Sequence, residues 1–503
     1  MFDQHDAPFF EALRQYAGTL ATPFSTPGHK RGAGAPEAMR ALLPDALGCD
    51  IPHGGGVDTT HLSRGLLRKA ERLAAAAYGG DEARFLVNGS TTGNLAMLIG
   101  VAHDGDTVLV SRMLHKSLMA GLIHSGARPI YLVPEIDATR NLPLGIAPES
   151  VKRALRAHPV AKGVSLVSPS YVGVSSDLAE IARVCHAARV PLLVDEAWGP
   201  HFHFHPSLPL SAMQAGADAG VSSTHKMLAA LTQGSTLVLR RERLDVERMS
   251  TIVDMVQTTS PSALIYASLD ASRRQMALEG QAMLERAIEL AGELRGRLAA
   301  LPGLAVVGPE VVTGQPGVRL DPTRVVVDVH DLGWTGYEAE DFLRDEHGVY
   351  VEMSDLLSVM LLVTIGDSSA SIERATRGFA ALAGRSRPVR HSAAARSVGE
   401  LLFGGEVELT PREAFMEEAR DTDRGCGGGD QCRGDHAVPA GDSDRRAGGA
   451  AVDGDDRLSS GGHRRGDVHL RDGRRDVCDG ASRRLRRREG EARGDDADRG
   501  GTG

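Results

Sequence analysis

GVSSTHKMLAALTQGS, residues 220–235, sets a lysine just past an apolar run and behind Ser222, Ser223, Thr224 and His225. The chain has six lysines against 51 arginines, so Arg is its default base and Lys226 stands apart. A partly desolvated lysine can give up its proton and become a nucleophile, which a guanidinium cannot do. A solvated surface lysine fits poorly between a strand that reads as buried and the apolar MLAAL that follows. The stretch therefore reads as a strand end that presents a reactive amine. In open α/β sheets, ligands gather outside the carboxyl ends of the strands.

Outward from this stretch, short apolar runs alternate with helical patterns between about residues 71 and 265. LLRKAERLAAAAYG reads as a helix closing on glycine. ARFLVNGST, TVLVSR, RPIYLVP, GVSLVSPS, VPLLVDEAWG and AGVSSTHK read as strands, with APESVKRALRAH and LAEIARVCHAA as helices between them. Strands alternating with helices predict parallel βαβ units and an α/β fold with a mostly parallel sheet. Residues 1–70 are rich in Gly and Pro and read as irregular connections around short helices. From 266 to 418 a long helix, LIYASLDASRRQMALEGQAMLERAIELAGELRGRLAAL, opens what reads as a smaller α+β domain. It continues with the strand-like TRVVVDVHDLG, GVYVEMSD and LSVMLLVTIG and the helical SIERATRGFAALAGR. Residues 419–503 contain no Ile, Phe, Met, Trp, Tyr, Lys or Asn and show no periodicity. Such a segment cannot bury enough apolar surface to offset its ordering entropy, so it reads as a disordered tail. A reading-frame shift in a GC-rich gene, the favoured origin, gives the same Arg/Gly/Asp/Ala composition.

The net charge of −9 offers no basic footprint for nucleic acid. No apolar run reaches the roughly 18–20 residues that span a bilayer. The N-terminus lacks a basic region followed by an apolar stretch, so it does not read as a secretory signal. Five scattered cysteines suit neither a disulfide framework nor a four-ligand zinc site, and the reading is a cytoplasmic protein with reduced thiols.

Three more stretches carry chemistry. FLVNGSTTGN, 85–94, turns on Gly89 and offers Ser90, Thr91 and Thr92 before a helix whose positive end suits a phosphate, although strand-to-helix caps use the same residues. VPLLVDEAWGPHFHFHP, 190–206, ends a strand on Asp195, which could hold a proton on a heterocycle nitrogen or bind Mg²⁺. Its alternating His201, His203 and His205 would share a face on a strand and suit a metal, so a metal-dependent hydrolase is one rival. In SRMLHKSLMAGL, 111–122, His115 could stack on a planar cofactor or merely enter a helix. In order, a phosphate turn, an aromatic stacker, a strand-terminal Asp and a Ser/Thr-flanked Lys are what pyridoxal 5'-phosphate requires.

With STPGHKRG (25–32), FLVNGSTTGN (85–94), HKS (115–117), SPSYVG (168–173), DEAWGPHFHFHPSLP (195–209) and STHKMLAALTQGS (223–235), the sequence resembles the fold-type-I Orn/Lys/Arg decarboxylases over roughly residues 8–418. HFHFHP belongs to that pattern, which weakens the metal reading and leaves no metal expected. The resemblance implies that Lys226 carries pyridoxal phosphate as a Schiff base, that Asp195 pairs with the ring nitrogen and that His115 stacks on the ring. It also implies that Ser90, Thr91, Ser223 and His225 hold the phosphate and that Trp198 lies beside the cofactor. The implied reaction converts arginine, lysine or ornithine to an amine plus CO₂, with Lys226 or His225 returning the proton. It implies a homodimer or higher homo-oligomer with active sites at the interface, TTSPSALIYASLD (258–270) approaching a neighbour's phosphate.

The resemblance is to the short members of the family, without the N-terminal wing domain. CDIPHGGGVDTTHLSRGLLRKAE (49–71) departs from the family's apolar-and-Pro pattern near the substrate entrance, which leaves substrate preference open. An aminotransferase or β-eliminating lyase on the same fold remains the nearest rival. It would need an arginine for the α-carboxylate, and Arg319, Arg324 and Arg344 are available. Glu352, in GVYVEMSD, is the candidate for a substrate's distal ammonium or guanidinium.

Overall fold

A computed structural model of the chain describes residues 3–51, 65–137, 140, 142–389 and 409–416. The expected tail, 419–503, and most of the divergent 49–71 stretch lie outside the described residues.

Seven strands form the main sheet: β1 Glu82–Leu86, β2 Thr107–Ser111, β3 Arg128–Leu132, β4 Val164–Val167, β5 Leu192–Asp195, β6 Ala219–Ser222 and β7 Ser235–Leu239. Their spatial order is β1-β7-β6-β5-β4-β2-β3. From β3 to β6 every pairing is parallel, while β7 runs antiparallel to both β6 and β1. The α/β class is as read, and the six runs taken as strands all lie in this sheet. The strand missed is β7, STLVL. It follows β6 through a loop of twelve residues, 223–234, and turns back beside it, so Lys226 sits on a connection between antiparallel neighbours.

Residues of β4, β5 and β6 are buried throughout, which is why these strands read as near-continuous apolar runs rather than alternating ones. Helices cover the sheet and include α1 Pro8–Ala17, α2 Leu66–Tyr78, α3 Gly89–Val101 and α4 Lys116–Ser125. α3 lies close on β6, and a Cβ at Gly93 would collide with the side chain of Val221. α4 closes on Gly126 in the left-handed conformation (φ 73°). At that end the short helix Pro411–Met416 docks: Arg412 Nε donates to the carbonyl of Ile123 at 2.7 Å, and Nη1 meets Asp104 Oδ1 at 2.8 Å.

α5, Ala263–Ala299, is a 37-residue helix. Ala263, Tyr266, Ala267 and Leu269 near its start join the main core. Leu290, Ala291, Leu294 and Leu298 near its end join a second core, around the antiparallel sheet β8-β9-β11-β10. Those strands are β8 Ala305–Val306, β9 Arg324–Asp328, β10 Met353–Ser354 and β11 Ser358–Leu362. GVYVEMSD contributes only the two residues of β10, which ends at a turn where Asp355 Oδ1 accepts from the backbone N–H groups of Leu357 and Ser358 at 2.8 and 2.6 Å. Among the described residues, no helix is long and apolar enough to cross a membrane.

The HFHFH segment is no strand. Phe202–Phe204 forms a turn of 3-10 helix, so the three imidazoles fan out instead of sharing a face. His201 Nε2 lies 3.3 Å from Asp321, His203 Nδ1 3.2 Å from the Ser211 hydroxyl, and His205 Nε2 2.7 Å from Glu285.

Candidate active site

The pocket opens where β1, β5 and β6 end, and each end supplies a different group. After β1 the chain turns through Gly89, whose positive φ of 70° favours glycine, and enters α3. The Gly89 N–H donates to the carbonyl of Gln233 at 2.9 Å, stitching this turn to the loop that carries Lys226. The N-cap of α3, Asn88, makes no side-chain capping bond, and Gly89, Ser90 and Thr91 of the first turn line the pocket. Ser90 Oγ and Ser223 Oγ lie 2.8 Å apart, so hydroxyls from FLVNGSTTGN and from the Lys226 stretch meet at the positive end of a helix.

β5 delivers Asp195, which is 3% exposed. Its Oδ1 accepts from the N–H of Ala197 at 3.1 Å and its Oδ2 from Asn94 Nδ2 at 2.7 Å. Its neighbour Glu196 does not line the pocket: it accepts from the Ala212 N–H at 2.6 Å, and burial pushes its carboxyl well above the usual range. Trp198 follows, buried.

Lys226 stands on a single helical turn, Thr224–Met227, with Nζ 3.6 Å from the centroid of the Trp198 ring. Burial lowers its pKa to about 8; the charges of Asp195 and Glu352 resist the shift and that of Arg324 assists it. His225 Nδ1 lies 2.9 Å from the Gly234 carbonyl. A carbonyl only accepts, so Nδ1 carries the proton and Nε2 can donate only when the ring is cationic, a form that burial disfavours. His115 is the N-cap of α4; its Nδ1 accepts from the Ser117 N–H at 3.2 Å, and burial holds its pKa below the ordinary value.

The eight residues that the family resemblance assigns to the cofactor, Ser90, Thr91, His115, Asp195, Trp198, Ser223, His225 and Lys226, all line this one pocket, whereas Thr92 and Glu352 are not among its lining residues. Sequence reading missed Asn94, Tyr171 and Gln233, which line it as well. Only SPSYVG and TQGS, quoted for other reasons, pointed toward the last two. None of the three candidate arginines is among the lining residues. Arg319 is exposed on a two-residue strand, and Arg344 pairs with Asp341 and Asp345. Arg324 is buried behind the pocket wall, its Cζ 4.5 Å from the Trp198 centroid and its Nη1 donating to the Tyr171 carbonyl at 2.7 Å. Glu352 is an exposed residue outside the lining; partial desolvation of its carboxyl raises its pKa against the opposing charges of Lys226 and Arg324.

The sequence matches the family described as Orn/Lys/Arg decarboxylase, major domain, over residues 7–371. It is 38% identical to an arginine decarboxylase of Bacillus subtilis (strain 168), covering 82% of this chain and 84% of that protein. It is 38% identical to an arginine decarboxylase of Halalkalibacterium halodurans, covering 83% and 85%. Among solved structures, lysine decarboxylase A from Pseudomonas aeruginosa is similar with a TM-score of 0.69 at 23% identity, covering 81% of this chain and 68% of that one, a likeness of fold.

Proposed function

This chain belongs to the Orn/Lys/Arg decarboxylase family, and from that premise we propose that it uses pyridoxal 5'-phosphate to remove CO₂ from a basic L-amino acid, arginine first among the candidates. The carrying observation is Lys226, an amine whose pKa is lowered to about 8, beside Trp198 in a pocket that also holds the Asp195 carboxylate and the paired hydroxyls of Ser90 and Ser223.

The residues fit that cofactor. Ser90, Thr91 and Ser223, at the uncapped positive end of α3, suit a phosphate dianion. His225 would join them only as a cation. Asp195, fixed by two donors, would accept from a protonated ring nitrogen, and the aromatic side chains of His115 and Trp198 are among the lining residues that would surround a ring. When bound, pyridoxal phosphate supplies an aldehyde that bonds amines and a cationic ring that takes up the electron pair left by departing CO₂.

Lys226 Nζ, neutral in part near pH 7, would be the amine that holds the cofactor's aldehyde until a substrate amine takes its place. Asp195 keeps the proton at the ring nitrogen. After CO₂ leaves, Lys226 Nζ returns a proton to the substrate's α-carbon, since the Nδ1 proton of His225 is committed to Gly234. Glu352, whose charge acts on Lys226, would receive the substrate's distal cation. None of Arg319, Arg324 and Arg344 lines the pocket, so none of these three supports the carboxylate clamp that an amino-group transfer would need. The protein would work as a homodimer or larger homo-oligomer, residues 258–270 approaching a neighbour's phosphate site.

The test offers arginine, lysine and ornithine separately to purified protein with pyridoxal phosphate and reads products by mass spectrometry. Agmatine, cadaverine or putrescine supports the reading and identifies the substrate; a keto acid overturns it. Lys226→Ala should abolish the absorbance of the covalently bound cofactor, and an unchanged spectrum would remove Lys226 from its role.

A further inference from the structure

Asn94 and Ser117 have no part in the chemistry above, yet they are 1% and 2% exposed and join two of its residues. Asn94 Nδ2 donates to Asp195 Oδ2 at 2.7 Å and to Ser117 Oγ at 2.8 Å. Ser117 Oγ in turn lies 2.7 Å from His115 Nδ1. The direction of every proton along this chain follows from its two fixed ends. A carboxylate accepts, so the amide nitrogen faces Asp195, and both of its hydrogens are spent, one on Asp195 and one on the Ser117 oxygen. With its oxygen accepting from Asn94, the Ser117 hydroxyl is free to donate onward to His115. A backbone N–H can only donate, and that of Ser117 points at the same Nδ1 from 3.2 Å. Two donors thus converge on Nδ1.

We propose that Asn94 and Ser117 are positioning residues that lock His115 as the neutral tautomer with its proton on Nε2. Protonating Nδ1 would break both bonds to it, so the lock disfavours the imidazolium as well as the other tautomer. The charges facing His115 are those of Asp195, which favours the cation, and of Lys226 and Lys116, which disfavour it. The lock offsets the pull of Asp195 by routing that carboxylate through Asn94 to a donor rather than leaving it to stabilise a cationic imidazole. Its catalytic value rests on the function proposed above: a neutral ring can lie against a cationic cofactor ring, where an imidazolium would be repelled. The tautomer itself does not depend on that reading.

The experiment is ¹⁵N NMR of histidine-labelled, cofactor-free protein, His115 being assigned by its loss in His115→Gln, followed by kcat–pH profiles with pyridoxal phosphate. Wild type should show His115 with Nδ1 unprotonated and Nε2 protonated across neutral pH. Ser117→Ala should give mixed tautomers and a titration moved to higher pH, with Asn94→Ala moving the same way. In turnover, Ser117→Ala should lose about tenfold in kcat with little change in KM. Its acid limb should move to higher pH, and Ser117→Thr, which keeps the hydroxyl, should restore both. A wild-type His115 protonated at Nδ1 overturns the lock whether or not any variant folds, and so does a folded Ser117→Ala with unchanged tautomer and titration. The locked tautomer in a protein that decarboxylates none of the three amino acids would leave the lock standing and remove the proposed reaction instead.

Discussion

At the α3 end of the pocket the chain offers a glycine turn, the N-terminus of a helix and three small hydroxyl side chains, whereas at the β5 end it offers Asp195, His115, Trp198 and Lys226, each set by another side chain or a buried wall. The first end is local. Gly89, Ser90 and Thr91 are consecutive, and only Ser223 comes from elsewhere. The second end is assembled from afar, with Asn94 and Asp195 101 residues apart and Trp198 backed by Arg324. An end made of backbone dipoles and interchangeable hydroxyls should lose affinity gradually when trimmed. An end made of unique charged groups should lose chemistry abruptly.

That contrast can be broken most directly at Asp195. Asp195→Ala should lower kcat by about 10³-fold, the scale for deleting one preorganised electrostatic partner, while cofactor affinity changes far less. A residual kcat within tenfold of wild type would erase the distinction between the ends. Ser223→Ala tests the other end: the dissociation constant for pyridoxal phosphate should rise about tenfold, one charge-assisted hydrogen bond, with kcat nearly intact at saturating cofactor. Stopped-flow absorbance sharpens the Lys226 side. The neutral amine captures the cofactor, and a pKa lowered to about 8 makes that form scarce below pH 8 and dominant above it. The capture rate should therefore climb with pH and level off beyond about 8; a climb continuing toward pH 10 would show an ordinary, solvated lysine. The smallest effect belongs to Gly89→Ala. Beyond its chain neighbours and own helix no atom lies within 4 Å of the added Cβ, so the cost is the left-handed backbone alone, about 1 kcal/mol, read in a chain this long as a fall in Tm of about 1 °C.

The same contrast explains what sequence could show. Motifs made of consecutive residues, such as FLVNGSTTGN and STHK, contain Ser90, Thr91, Ser223, His225 and Lys226, which line one pocket because a strand end dictates where the next few residues go. Asn94 was quoted within the first motif and passed over. It reads as an ordinary residue of the first turns of a helix, and nothing local announces a carboxylate 101 residues later. Ser117 likewise was quoted only within SRMLHKSLMAGL and HKS, without a role. β7 escaped because five residues rich in Ser, Thr and Leu after a glycine carry little pattern of their own; pairing with β6 and β1 makes the strand. The histidines of HFHFH misled in the opposite sense: alternation in sequence implies a shared face only if the chain is extended, and there it coils.

Arg412 bears on where this protein can be cut or joined to another. α4 is fixed at one end by His115 and at the other by a guanidinium brought in from the segment 409–416. Ten residues of helix, about 15 Å, separate the two anchorages. An expression boundary set near 389 would discard the C-terminal anchorage and leave the helix that presents His115 tethered at one end, whereas a fusion made directly after Met416 would keep both.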